Sequence, residues 1–459
     1  MTSFAPLQGL LAAAHEVVPA RAQMATTLGF HIVLACFGIA FPAIVLIAEY
    51  LGLRHADADA MLLARRWSQV LGVLVAVGAV TGTVLSFEMG LLWPGLMRRY
   101  GAVIGLPFGV EGIFFFLEAI FTGIYLYGWR RLHGWAHFWS GIPVAVSGIG
   151  GAISVIAANS WMNQPGGFTM KAGRVVEVHP WAVFFNHAAI YEMPHMTLAA
   201  YMVVGFGVAS IYAIGMLRGR RDRYHRLGFA IPFVLASALT PFQIFVGDTA
   251  ARAVAADQPV KFASMEYVAH TSTGVPEYLG GVYARGRVYG GIGIPDVDSL
   301  LVGFSPHTKV IGWDSVPPAE RPPSPTLLHL AFETMTGAAF LVLLPALWAL
   351  AVWWRRRTLP ERRSFWLLAA VAGPAALVAM ECGWIVTEVG RQPWVVYRLM
   401  TTSEAATTNG GVIASLSAVI VLYAVLGVAT VLIIRLLARR WRQGVADLSS
   451  IPYGPNRSE

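Results

Sequence analysis

The chain has 459 residues, of which 56% are hydrophobic and only 13% charged. Soluble domains carry about 25% charged residues, so this composition excludes a set of soluble domains, a disordered chain and a disulfide framework. A polytopic membrane protein remains. The net charge of +8 reflects short basic clusters between apolar runs, which mark membrane topology and not nucleic-acid binding. Cys36 and Cys382 each lie inside an apolar stretch and form neither a CxxC site nor a disulfide framework.

A spanning helix needs about 20 mostly apolar residues. In chain order, residues 5–24 read as a short interfacial segment without the signature of a cleaved signal peptide. Nine spans follow, at 27–50, 69–92, 108–129, 138–160, 189–216, 229–247, 326–353, 365–388 and 410–434. The fold expected is an all-α polytopic membrane protein with nine transmembrane helices. Three regions emerge: 1–247 with the first six helices, a polar loop at 248–325, and 326–459 with the last three helices and a tail. A loop that long carries a function of its own.

Lysine and arginine set the orientation. Twenty of the 33 basic residues cluster at one set of helix ends, from Arg54, Arg65 and Arg66 to Arg435, Arg439, Arg440, Arg442 and Arg457. That places the N-terminus outside, the C-terminus in the cytoplasm and the long loop outside. The Gly280–Gly293 stretch has no βαβ context and is a poor nucleotide loop.

Ionisable groups inside a membrane are costly and mark function by default. The spans hold His31, Glu88, Glu111, Glu118, His195, Glu333, Glu381 and Glu388, with Met335 as a soft ligand. At 1.5 Å per residue, His31 lies ~6 Å below the outer edge, His195 ~9 Å, Glu381 ~10 Å and Met335 ~14 Å. Four groups able to bind iron, at similar depth on four helices, suit a haem cluster near the outer face. Each alone has an ordinary alternative as packing. His133, His137, His179 and His187 sit near span ends or in loops and are taken as structural. Glu111 and Glu118 share one helix face, as a proton relay or as two acids hydrogen-bonded between helices.

The chain resembles subunit I of the cytochrome bd-type quinol oxidases. The resemblance rests on Gly390-Arg391-Gln392-Pro393-Trp394 preceded by Glu381-Cys382-Gly383-Trp384, and on Ala158-Asn159-Ser160-Trp161-Met162. Glu111-Gly112 with Phe115-Phe116-Leu117-Glu118, His195 in PHMTLAAY, and Gln258-Pro259-Val260-Lys261 with Glu266 add to it. It covers essentially the whole chain. The resemblance implies a respiratory enzyme of the bacterial plasma membrane that oxidises quinol outside and reduces O2 to water with cytoplasmic protons, electrogenically but without pumping. It implies two haem b and one haem d, or a third haem b in place of haem d. By position, His195 and Met335 would hold the low-spin haem b, and His31 and Glu381 the two high-spin haems. Arg391 would lie near haem carboxylates, Lys261 and Glu266 would contact quinol, and Glu111 and Glu118 would carry protons. The implied partners are a second polytopic subunit, membrane quinol, O2 and a small accessory subunit.

Departures from the family pattern are Glu333, where an arginine is expected before the ligand methionine, Leu377 in place of a tryptophan, and a short loop. The rivals are a dihaem electron-transfer cytochrome, which needs intramembrane histidine pairs absent from this sequence, and a proton-coupled transporter, which leaves the matched ligand depths unexplained.

Overall fold

The computed structural model describes the backbone of residues 5–443 and the side chains of residues 17–443. The rest of the tail, with Arg457, lies outside the described residues. Helices α1 (Ala5–His55), α2 (Ala58–Leu92), α3 (Pro94–Gly128) and α4 (Trp135–Asn163) run up and down. A hairpin of β1 (Phe168–Lys171) and β2 (Arg174–Val178) and the short α5 (Pro180–Phe184) lead to α6 (Ala189–Leu217) and α7 (Arg223–Asp257). The long loop folds as α8 (Pro259–Met265), β3 (Glu277–Leu279), β4 (Val282–Ala284), β5 (Arg287–Tyr289), β6 (Ile292–Ile294) and α9 (Val297–Gly303), with two 3-10 turns. Then come α10 (Pro325–Arg356), α11 (Arg363–Gly390), β7 (Trp394–Val396), β8 (Met400–Thr401), α12 (Thr402–Ala405) and α13 (Val412–Arg442).

Nine helices among the described residues are long and apolar enough to cross a membrane, as the sequence predicts. They run past the expected spans: α2 begins at 58 instead of 69 and α3 at 94 instead of 108. Hydropathy marks only the hydrocarbon stretch. The added turns carry polar residues such as Arg65, Arg66, Arg98 and Arg99, and they stay helical because proline at the first position starts α3 and the Asp57 carboxylate caps α2. The backbone of the expected interfacial segment 5–24 is helical and continuous with the rest of α1.

Sequential helices pair as α1/α2, α3/α4, α6/α7 and α10/α11, and α1 and α6 lie centrally: α1 packs against α2, α4, α6, α7 and α13, and α6 against α1, α4, α7 and α11. Glycines permit the closest crossings. A Cβ at Gly148 of α4 would lie 2.5 Å from the Gly38 carbonyl oxygen of α1, and one at Gly205 of α6 would lie 2.8 Å from the Pro232 oxygen of α7. Phe206, Phe229, Phe233 and Phe365 are fully buried and meet edge-on or stacked where α6, α7 and α11 converge.

The sequence shows no sign of the short strands. In the long loop, β3 pairs with β6 and the β4–β5 hairpin nests between them. Gly280, Gly281, Gly286 and Gly290 have positive φ there, so the glycine-rich stretch serves tight hairpin turns.

Candidate functional site

A cavity of about 550 Å3 opens beneath the long loop. Its walls come from α6, α7, α10 and α11, and α8 supplies part of the roof. His195 of α6 and Met335 of α10 both line it, although 140 residues separate them. A glycine faces each of them. A Cβ at Gly247 of α7 would lie 3.4 Å from His195 Cε1, and one at Gly383 of α11 would lie 3.1 Å from Met335 Sδ. Gln243 Nε2 lies 3.3 and 3.4 Å from the two ring nitrogens of His195, while its Oε1 is buried without a partner.

Arg391 follows α11 and is 3% exposed. Its Nη2 donates to Glu388 Oε2 at 2.7 Å, and Asn159 Nδ2 donates to Glu388 Oε1 at 3.0 Å. Arg391 Nε and Nη1 are buried with no partner. An imidazole and a thioether in one mostly apolar cavity, with spare guanidinium donors nearby, fit an iron porphyrin with acidic side groups.

His31 of α1 and Glu381 of α11 do not line this cavity. Thr81 Oγ1 donates to helix carbonyls of Val77 and Gly78 at 3.2 and 3.0 Å. It therefore accepts from His31 Nδ1, 2.8 Å away, and the ring's Nε2 is left with a free lone pair. A metal-binding histidine is held in this way by its other nitrogen. Gly82 gives the ring room, since a Cβ there would lie 3.1 Å from Cε1. Glu381 Oε2 faces Gly29, with 3.6 Å to a Cβ built there, and the carboxyl has no hydrogen-bond partner among the described residues. The four expected ligands lie on four different helices, Met335 on α10, Glu381 on α11, His195 on α6 and His31 on α1.

The roof holds the polar groups. Lys261 and Glu266, five residues apart around α8, are both buried and both line the cavity. The Lys261 stem lies against Gly390, where a Cβ would be 2.9 Å away. Burial lowers the Lys261 ammonium to about 8, opposed by the attraction of Glu192. Burial raises Glu266 well above the usual carboxylate range, and repulsion from Asp298, Glu277 and Glu333 adds to it. Asp298 is fully buried, with neither carboxyl oxygen partnered. Burial first, then Glu277 and Glu333, pushes it up to about 8.

Glu111 and Glu118 are not drawn into this cavity. Glu118 of α3 faces α1, with its Oε1 3.0 Å from a Cβ built at Gly38. Sequence reasoning missed Gln243, Glu192 and Asp298 because they meet the site only through tertiary packing. His137, expected near a span end, lies at the start of α4, where its ring is 2% exposed and bonded to Glu49.

The fold and cavity define a helical membrane protein built to hold redox groups between its helices. A family profile described as cytochrome bd terminal oxidase subunit I matches residues 19–442, and the chain belongs to that family. It is 33% identical to a putative cytochrome bd menaquinol oxidase subunit I of Bacillus subtilis, across 91% of this chain and 96% of the relative. It is 28% identical to a cytochrome bd ubiquinol oxidase subunit 1 of the same organism, across 94% of each. The structure of a bd oxidase from Geobacillus thermodenitrificans superposes with a TM-score of 0.86 at 35% identity, covering 93% of this chain and 98% of that one. The protein is therefore a haem-carrying subunit of a quinol:oxygen oxidoreductase.

Proposed function

We propose that this chain carries three haems and oxidises membrane quinol at the outer face of a bacterial plasma membrane, reducing O2 to water with protons from the cytoplasm. Its N-terminus is outside and its C-terminus inside, because the arginine clusters mark one set of helix ends. The observation that carries the reading is the shared cavity of His195 and Met335, roofed by Lys261 and Glu266. His195 and Met335 would together hold a low-spin haem b, the type suited to electron transfer. His31 and Glu381 would each hold one high-spin haem, one of type b and one of type d or a further type b.

When bound, the haems supply one-electron transfer and the reduction of oxygen. The protein's own groups bind and deprotonate the quinol. Residues 248–325 form the quinol-binding region. Lys261 Nζ orients a quinol oxygen, and Glu266, in its ionised form, takes the hydroxyl proton and passes it to the outer solvent. Arg391 places its two free donors toward haem carboxylates. Glu118 and Glu111 hold and pass protons to the oxygen site from the arginine-rich side. Each quinol loses two protons outside, and each O2 takes up four from inside, so turnover separates charge without pumping. A second polytopic subunit completes the bundle.

Liposomes containing the purified oxidase and a reduced quinol test this. Oxygen uptake should proceed together with a membrane potential that collapses on adding an uncoupler. Oxygen uptake without any potential would contradict the separation of the two proton sites.

A further inference from the structure

Helix α3 carries more than two acids on the face of Glu111 and Glu118. Thr122 and Tyr125 follow at eleven and fourteen positions from Glu111, so all four side chains fall within an arc of about 60°. Thr122 is 5% exposed, and its hydroxyl is buried with no partner. Tyr125 is 2% exposed, and its phenol donates to Glu49 Oε2 of α1 at 2.6 Å. The other oxygen of Glu49 lies 2.6 Å from His137 Nδ1, at the start of α4. His137 Nε2 lies 2.9 Å from the backbone oxygen of Tyr125, which can only accept, so Nε2 carries a hydrogen. Between Glu49 Oε1 and His137 Nδ1 there is then room for one shared proton, on the acid or on the ring.

We propose that His137, Glu49, Tyr125 and Thr122 form the inner half of the proton route, loading at the arginine-rich end of α3 and delivering to Glu118. This deepens the function proposed above and rests on it. The hop balances. At rest the Tyr125 hydroxyl donates to Glu49 Oε2; in the hop it turns and releases that proton toward Thr122, and its oxygen takes the proton held by the Glu49–His137 pair, delivered from Oε2. The pair is left one proton short, with net negative charge, and regains a proton from cytoplasmic water. Thr122 lies one turn from Glu118 and three residues from Tyr125, so its free hydroxyl divides a gap of ~10 Å into two steps of ~6 and ~5 Å, each within reach of one bridging water.

A static helix clamp predicts something different. A buried hydroxyl without a partner costs stability, so replacing it by an apolar group of the same shape is neutral or stabilising. As mere packing, Thr122→Val is harmless. As a relay group, it slows turnover while the protein stays as stable as before.

The test is quinol-driven oxygen uptake by the complete oxidase, with haem absorption and thermal midpoint recorded for each variant. Glu49→Gln and Thr122→Val should each lose about a hundredfold in uptake with unchanged haem spectra and an unchanged KM for quinol. Thr122→Ser should restore the rate. Parental uptake in both Glu49→Gln and Thr122→Val overturns the proposal, as does a loss in Thr122→Val that Thr122→Ser fails to restore. Should Glu49→Gln fail to assemble with haem, the Thr122 pair decides. A parent enzyme with normal haems and no oxygen uptake overturns the proposed function, and this route with it.

Discussion

Thr81 fixes His31 without touching the reaction. By accepting the Nδ1 hydrogen at 2.8 Å it selects the tautomer with a free Nε2. Thr81→Val should shift the high-spin absorption and weaken haem retention by about 10- to 100-fold, the scale found for groups that orient metal ligands; a haem titration of the variant reads this directly. His195→Ala and Met335→Ala should each abolish the low-spin spectrum and quinol oxidation, and an unchanged low-spin signal in either would remove that residue from the site. Asp298 sets a pH dependence of the loop. Its folded value of about 8 lies above the ordinary 3.8. Between those values the folded loop holds more protons than the unfolded one, so loop stability is full below the lower value and falls as pH rises toward 8. Hydrogen exchange of residues 258–303, corrected for intrinsic rates, should show opening that grows by up to about tenfold per pH unit between 5 and 8. Asp298→Asn should flatten that slope; an equally steep slope would show that Asp298 is not its source.

Among the elements, α1 and α4 depend on contact at Gly148, where a Cβ would sit 2.5 Å from the Gly38 oxygen. Gly148→Ala forces the two backbones apart at a cost of about 1–3 kcal/mol, and the thermal midpoint of the assembled protein should fall accordingly. The helices themselves were legible because twenty-residue apolar runs have few alternatives. Helical rise converts residue number into depth, and on that ground alone His31, His195, Met335 and Glu381 are expected at a similar level. Which helix faces which is not encoded in depth. Gln243 beside His195, Asp298 beside Glu266 and Glu49 against His137 depend on packing between distant segments, and hydropathy carries no trace of them. The nested hairpins of the loop escaped because strands of three residues are too short for an alternation to appear.

At the scale of the whole molecule, exposed apolar residues such as Val421, Val425 and Val428 of α13 face lipid or another subunit. The chain should purify with a second polytopic protein, and full oxidase activity from this chain alone in a defined membrane would contradict the proposed pairing. The central claim is that four side chains on four helices divide into one two-ligand site and two one-ligand sites. Haem content per chain, measured as the pyridine haemochrome with a reduced-minus-oxidised spectrum of the purified protein, tests it most directly. The account predicts three haems per chain, one low-spin and two high-spin; one haem or none would contradict it.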